Sequence, residues 1–242
     1  MSILIKNVEI FDTQSPFHQQ VKNVLIENGK IARITDENVT AESEIDGTNL
    51  KLSAGWVDMR VSLNDPGFEY KEDLESGCAA AAKGGITELL CLPNTKPVIQ
   101  SKDTLTYLKL KSASQIVSVH SSGAISQDCK GEEMTEMLDM NKAGAIAFTD
   151  GHNPIWHNGI LLKSLQYLDK INGLVIQKSF DKYLSKNGQM HEGINSTLLG
   201  FKAIPSISEY MSVQKDIELL KYAGTGRLHF SCISTKEAVE LI

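Results

Sequence analysis

The sequence of 242 residues contains no Cys-x-x-Cys pair, no block of lysine and arginine, and no apolar run approaching the roughly 20 residues a membrane helix needs. Each absence removes a class of function. The four cysteines, Cys78, Cys91, Cys129 and Cys232, are scattered, which argues against a zinc knuckle or a disulfide framework and for free, mostly buried thiols. With a net charge of -6 and no basic cluster, a nucleic-acid footprint is not expected. The opening MSILIKNVEIFDTQ lacks a basic segment followed by an apolar one, so neither export nor a membrane partner is expected and the cytoplasm is the default compartment. What is present, 41% hydrophobic and 22% charged residues, suits a soluble globular chain of one large or two smaller domains.

Residues 3–34 carry two stretches rich in β-branched residues, ILIKNVEIF and NVLIENGKIARI, the second broken by Asn28-Gly29, a strong hairpin signal. Residues 1–52 are therefore expected to form a small β-rich unit. From there to residue 242 the pattern changes. Strand signals at WVDMRVSL, ITELLCLP, IVSVHSSGAI, AIAFTD, GLVIQKSF and RLHFSCIS alternate with helical stretches KEDLESGCAAAAKG, SKDTLTYLKLKSAS, GEEMTEMLDMNKAG, NGILLKSLQYLDKIN and SISEYMSVQKDIELLKYAG. Gly84-Gly85, Gly144 and Gly224 follow helices where a left-handed C-cap is wanted.

Strand and helix in alternation leave two α/β architectures open, a (β/α)8 TIM-type barrel and a doubly wound sheet. A nucleotide-binding doubly wound sheet would show a glycine-rich turn after its first strand, and here the chain reads NDPGFEYKE. The barrel is the expected fold, with about six of its eight units in residues 53–242. Because the sequence stops at STKEAVELI, inside the helix after the sixth strand signal, it is expected to be truncated at its C-terminus.

In such a barrel the reactive groups project from the C-terminal ends of the strands. Those ends carry Arg60 and Ser62, then Asn94, Asp150, Lys178 and Cys232: one carboxylate and no histidine. His152 and His157 lie close to Asp150, where a general base could sit, although exposed loop histidines are the expected reading. His120 is placed near the barrel mouth. Alternation puts His229 on the face opposite Cys232, in a structural role, and His18 and His191 are expected at the surface. Ser121-Ser122-Gly123 lacks the G-x-S-x-G surroundings of a nucleophile elbow, Asp65-Pro66-Gly67 is a shape-determining turn, and CAAAAKGG is a small-residue helix.

The run GWVDMRVSLNDPGFEYKEDLESGCAAAAKGGITELLCLPNTKPVI resembles the opening of the dihydroorotases of the amidohydrolase superfamily, in which the first strand ends in His-x-His followed by Leu-Arg-Glu-Pro-Gly. FTDG at Phe148 to Gly151, GQMHEGINSTLLGFKAIPSISE and RLHFSCIST are similar to later landmarks of the same family, in the same order. The resemblance implies a cyclic-amide hydrolase interconverting carbamoyl aspartate and dihydroorotate on zinc. The metal would be held by the His-x-His pair, an acidic group after the fourth strand, and histidines after the fifth and sixth; zinc lowers the pKa of a bound water toward 7. At the matching positions stand Arg60, Ser62, Asp150, Lys178 and Cys232, so no metal cofactor is expected here and no catalytic residue is assigned. Arg60 and Lys178 would repel a dication by several kcal/mol, and an Arg60 to Asp150 ion pair could take its place. A metal held by Asp150, Cys232 and His152 has no spacing pattern behind it. The family's substrate-binding Arg and Asn correspond to Asn64 and Asn94, and Asn94 is expected to hold its turn.

Two functions follow. One is a pseudoenzyme of pyrimidine biosynthesis, catalytically impaired and acting as a scaffold for aspartate transcarbamoylase, as a homo-oligomer. The alternative is an active dihydroorotase or related cyclic amidohydrolase using a non-standard site.

Overall fold

The computed structural model describes residues 1–242, which divide into two compact units, Met1–Trp56 and Val57–Ile242. In the first, strands β1 (Ser2–Ile10), β2 (Val21–Glu27), β3 (Lys30–Thr35), β4 (Ser43–Asp46) and β5 (Lys51–Leu52) make one sheet in the order β3-β2-β1-β4, with β5 also on β1. Asn28 and Gly29 both take positive φ, +51° and +74°, which matches the twist of a two-residue hairpin joining β2 to β3. Val8, Ile10 and Val24 form its small core, with Phe17, Ile26 and Leu52 packed around them.

In the second unit, β6 (Trp56–Val61), β7 (Ile86–Cys91), β8 (Ser118–Gly123), β9 (Ala145–Phe148), β10 (Leu174–Gln177) and β13 (Arg227–Phe230) form one six-stranded sheet. The strands lie side by side in chain order, β6-β7-β8-β9-β10-β13, with no reversal. A doubly wound sheet reverses its strand order at a switch point, so this succession is that of a (β/α) barrel. Between strands run helices α1 (Leu74–Lys83), α2 (Lys102–Ser112), α3 (Met137–Ala143), α4 (Asn158–Asp169), α5 (Ile194–Leu199) and α6 (Ile207–Ala223), and α7 (Lys236–Leu241) follows β13. No helix is long and apolar enough to cross a membrane.

Helix ends follow the local chemistry. Asp73 accepts from the Ser76 backbone N–H and sets the start of α1, and Ser101 does the same for α2 through Thr104. Gly144 and Gly224 end α3 and α6 in the left-handed region, while Gly84 is right-handed and Gly85 carries the positive φ of +80°. The expected helix over 131–144 is shorter than the sequence suggests. Its first half is drawn into a bridge between Ser126 and Met134, and Thr135 Oγ1 donates to Ala124 O, so α3 begins only at Met137. After β10 the chain makes an excursion in which β11 (Met190–His191) and β12 (Ala203–Ile204) pair in parallel around α5.

The main core lies between sheet and helices. It joins Leu63, Leu74, Leu89, Leu105, Leu108, Phe148, Leu161 and Val175, all buried. A smaller cluster of Leu90, Ala147 and Ile176 marks the other, inner face of the sheet. One polar network penetrates the helix side. Asp216 of α6, wholly buried, accepts from Ser179 Oγ at 2.7 Å and Gln177 Nε2 at 3.2 Å, and Gln177 also pairs with both backbone groups of Ile155. Burial pushes the Asp216 pKa up, against the opposing pull of Lys215 and these donors. A carboxyl whose native pKa lies above its unfolded value of 3.8 holds its proton more tightly when folded, so stability is lost as pH rises through the native pKa. We expect the urea midpoint to decline from about pH 4 upward more steeply in the wild type than in Asp216→Asn, whose amide does not titrate. Equal slopes in the two proteins would contradict this assignment.

Candidate functional site

The strand ends of β6, β7 and β9 are tied together by the segment 150–152. Asp150, 1% exposed, does not face Arg60. Its Oδ1 accepts the backbone N–H groups of Ile125 (3.0 Å) and Ser126 (2.9 Å), and its Oδ2 accepts the Ser126 hydroxyl at 2.5 Å. Burial raises the Asp150 pKa despite these donors. The expected Arg60 to Asp150 ion pair is therefore absent, because three donors at the end of β8 already occupy the carboxylate.

Gly151 follows with φ +63°, and a Cβ there would collide with Asn94 Oδ1. Asn94 spans the turn: its Nδ2 donates to Asp150 O at 3.1 Å, and its Oδ1 accepts the His152 backbone N–H at 3.0 Å. Both halves of the amide are thus engaged with backbone. Asn64, at φ +57°, likewise turns its Nδ2 back to Ser62 O at 3.3 Å and accepts the Phe68 N–H on its carbonyl at 2.8 Å. The neighbouring Gly67, at φ +100°, lies so close to Lys96 that any side chain would strike its carbonyl.

This clamp delivers His152 to the end of β6. Arg60 Nη2 lies 3.4 Å from His152 Nδ1 and 3.4 Å from Gly151 O, and Ser62 Oγ lies 3.3 Å from His152 Nε2. Partial burial, then the charges of Arg60 and Lys178, lower the His152 pKa, so the ring is held neutral at pH 7. A guanidinium can only donate. Nδ1 is then the acceptor, the ring proton sits on Nε2, and that N–H points at Ser62 Oγ. His152 therefore cannot act as general base on Ser62, and the pair is not a nucleophilic dyad.

Lys178, directly after β10, stacks its ammonium 5.1 Å from the Phe180 ring and lines a cavity of about 290 Å³ together with Cys232, His191 and Glu209. Cys232 is the one exposed cysteine; Cys91, by contrast, is buried and its pKa is pushed up to about 12. Cys232 adopts φ +60° beyond the end of β13 at Phe230, where the alternation of strand faces no longer holds. His229 registers with Ile176 and so shares the inner face of the sheet. His120 is not among the strand-end groups, since its Nε2 lies 2.7 Å from Glu88 Oε2, an earlier residue of β7. His157 caps α4 by accepting the Gly159 N–H.

These residues do not fit a zinc ion. Arg60 has no lone pair to offer, the ammonium of Lys178 has none while protonated, and both oxygens of Asp150 are turned to Ile125 and Ser126. No group of three or more His, Cys, Asp or Glu side chains is placed to hold a metal, so Asp150, Cys232 and His152 are not brought together as ligands. Sequence spacing predicts an exposed loop position for His152, and it does lie exposed in the turn after β9. Its partners lie some 90 positions away, at Arg60 and Ser62, and no local signal reports such a contact.

The strand-end location of these residues and the unbroken strand order define the class: a (β/α) barrel, of which six strands are present. Comparison with solved structures agrees on the fold. L-Hydantoinase (dihydropyrimidinase) from Arthrobacter aurescens superposes with a TM-score of 0.78 at 22% identity, over 99% of this chain and 55% of that one. The crystal structure of a dihydroorotase gives a TM-score of 0.56 at 12% identity, over 94% of this chain and 64% of that one. The dihydro-orotase-like family model matches residues 50–238, and the chain belongs to that family. It is 40% identical to the dihydroorotase of Pelotomaculum thermopropionicum and 39% identical to that of Syntrophotalea carbinolica, along its whole length in both cases. It spans 56% and 57% of the length of those two relatives.

The clamp has a measurable weight. Asp150→Ala leaves two buried backbone N–H groups without an acceptor and should cost about 3 kcal/mol in urea unfolding. Asp150→Asn, which keeps an acceptor for them, should cost clearly less, and equal losses would show that the carboxylate is not what holds the loop.

Proposed function

We propose that this chain is a dihydroorotase-family protein of pyrimidine biosynthesis that does not carry out metal-dependent amide hydrolysis and acts as a scaffold for aspartate transcarbamoylase in the cytoplasm. One observation carries the reading: an arginine, hydrogen-bonded to His152, occupies the position where the family resemblance implies the first metal-ligating imidazole, and the single acidic group at the strand ends is turned into the protein. Hydrolysis of an unactivated amide near neutral pH depends on a water whose pKa has been lowered. The side chains gathered here supply neither the ligands for such a metal nor a general base in its place. A homologue kept without its chemistry is kept for its surfaces, and the family's place in the pathway makes aspartate transcarbamoylase the partner to test.

The test has three readouts on one preparation. With zinc added, we expect no conversion of dihydroorotate or carbamoyl aspartate above background, beside an active family member as control. Metal analysis after dialysis should find zinc well below one equivalent, both in the wild type and in the double variant Arg60→His, Ser62→His, because Lys178 remains and Asp150 stays turned away. Co-elution with aspartate transcarbamoylase on gel filtration is expected. Turnover near that of the control would establish the alternative, an active cyclic amidohydrolase with a non-standard site, and stoichiometric zinc in the double variant would refute the account of the metal site.

A further inference from the structure

The excursion between β10 and α6 turns its apolar side chains outward. Helix α5 buries only Ser196, whereas α4 buries Ile160, Leu161, Leu165 and Leu168 in the ordinary way. The Ser196 hydroxyl is satisfied inside its own turn, donating to Gly193 O at 2.7 Å and accepting the Gly193 N–H at 3.0 Å. Ile194 and Leu198, one turn apart on the helix, are 79% and 77% exposed, and Leu199 and Phe201 beside them are exposed as well. A single exposed leucine is ordinary on any protein. Four large apolar side chains within residues 194–201 make a patch, and such patches mark contact surfaces.

Charge brackets this patch. From Gly193 to Phe201 no residue is charged; Glu192 stands before the stretch and Lys202 after it. The parallel pairing of β11 with β12 fixes their places. Glu192 follows β11 at the start of α5 and donates its backbone N–H to Ile204 O, while Lys202 precedes β12 at the end of α5 and its carbonyl accepts the Gln189 N–H. Both side chains are exposed, and neither joins an ion pair within the chain. Gly193 and Gly200, at the two ends of the helix, leave the backbone open: an added Cβ would meet nothing within 4 Å at either position. The face is therefore acidic at one end, basic at the other and apolar between. A surface of that pattern is complementary to itself under a two-fold axis, which lays the helix antiparallel to its copy.

We propose that this face docks on a second copy of the chain, with α5 against α5 about a two-fold axis and Glu192 of each copy meeting Lys202 of the other. Leu198, near the middle of the uncharged stretch, lies closest to the axis. The reciprocity of the two charges is what selects a second copy over a different protein, because only an isologous contact presents each end of the face to its opposite. The pairing goes beyond the proposed function and does not depend on the loss of the metal.

The experiment is sedimentation equilibrium of the full chain between about 1 and 100 μM, a range suited to an interface of modest area. We expect a dimer at the top of the range. Leu198→Asp, which sets two carboxylates near the axis, should weaken it at least about a hundredfold, and Leu110→Asp, at a leucine of α2 that is 73% exposed, should leave it unchanged. Charge reversal reads the orientation: Glu192→Lys and Lys202→Glu should each weaken the dimer several-fold, and the double variant E192K/K202E should restore it. Thermal melting checks that the variants are folded, and should Leu198→Asp melt early, the charge reversals decide alone. A monomer throughout the range, a dimer that Leu198→Asp leaves intact, or a double reversal no better than either single one overturns the inference. Association seen only with added aspartate transcarbamoylase, and abolished by Leu198→Asp, gives the face to that partner and likewise overturns it, while the proposed function stands. Turnover or stoichiometric zinc defeats the proposed function and leaves the dimer untouched, so the two readings fail separately.

Discussion

The buried carboxylate of Asp150 is the constraint on which the strand-end surface depends. By accepting three donors from Ile125 and Ser126 it fastens the end of β9 to the loop after β8, and the two residues beyond it are then held by Asn94 from the end of β7. Three successive βα connections become one rigid rim. A carboxylate taken out of water is tolerable only when donors meet it, so the rim cannot shift without stranding a buried polar group. Gly151 is forced by the same arrangement, since its positive φ and its contact with the Asn94 amide leave no room for a side chain.

That rim sets what the strand ends can do. It places His152 against Arg60 and Ser62, and the guanidinium then dictates the tautomer of the imidazole. Each proton along Arg60, His152 and Ser62 points away from the guanidinium, so this chain of side chains runs from donor to acceptor in one direction. Metal-activated hydrolysis needs the reverse arrangement, with lone pairs converging on a cation. Arg60 and Ser62 thus meet His152 as parts of a donor chain, with the imidazole lone pair turned to the guanidinium.

Much of the architecture was legible in the residues. Alternating strand and helix signals, the Asn28-Gly29 turn and the glycine caps after α3 and α6 are local features, each decided by a few neighbouring side chains and backbone angles. The order of landmarks from WVDMRVSL to RLHFSCIST carried the family, and the family model covers the same span, 50–238. Less legible were the short excursion around α5 and the late start of α3. In the second, the pairing of Met134 with Ser126 outweighed the helix propensity of its segment.

The sequence by itself determined the fold class, the family and the residue types at the strand ends, because these depend on periodicity and on order along the chain. Only the tertiary structure decided what those residues face. Asp150 turned to Ile125 and Ser126 instead of Arg60, Asn94 and Asn64 spent their amides on backbone, and His152 joined Arg60 and Ser62 across some 90 residues. The physical reason is that a polar side chain goes to whichever partner the packed backbone brings within hydrogen-bond reach. That distance is set by the whole sheet and is written in no local stretch of sequence.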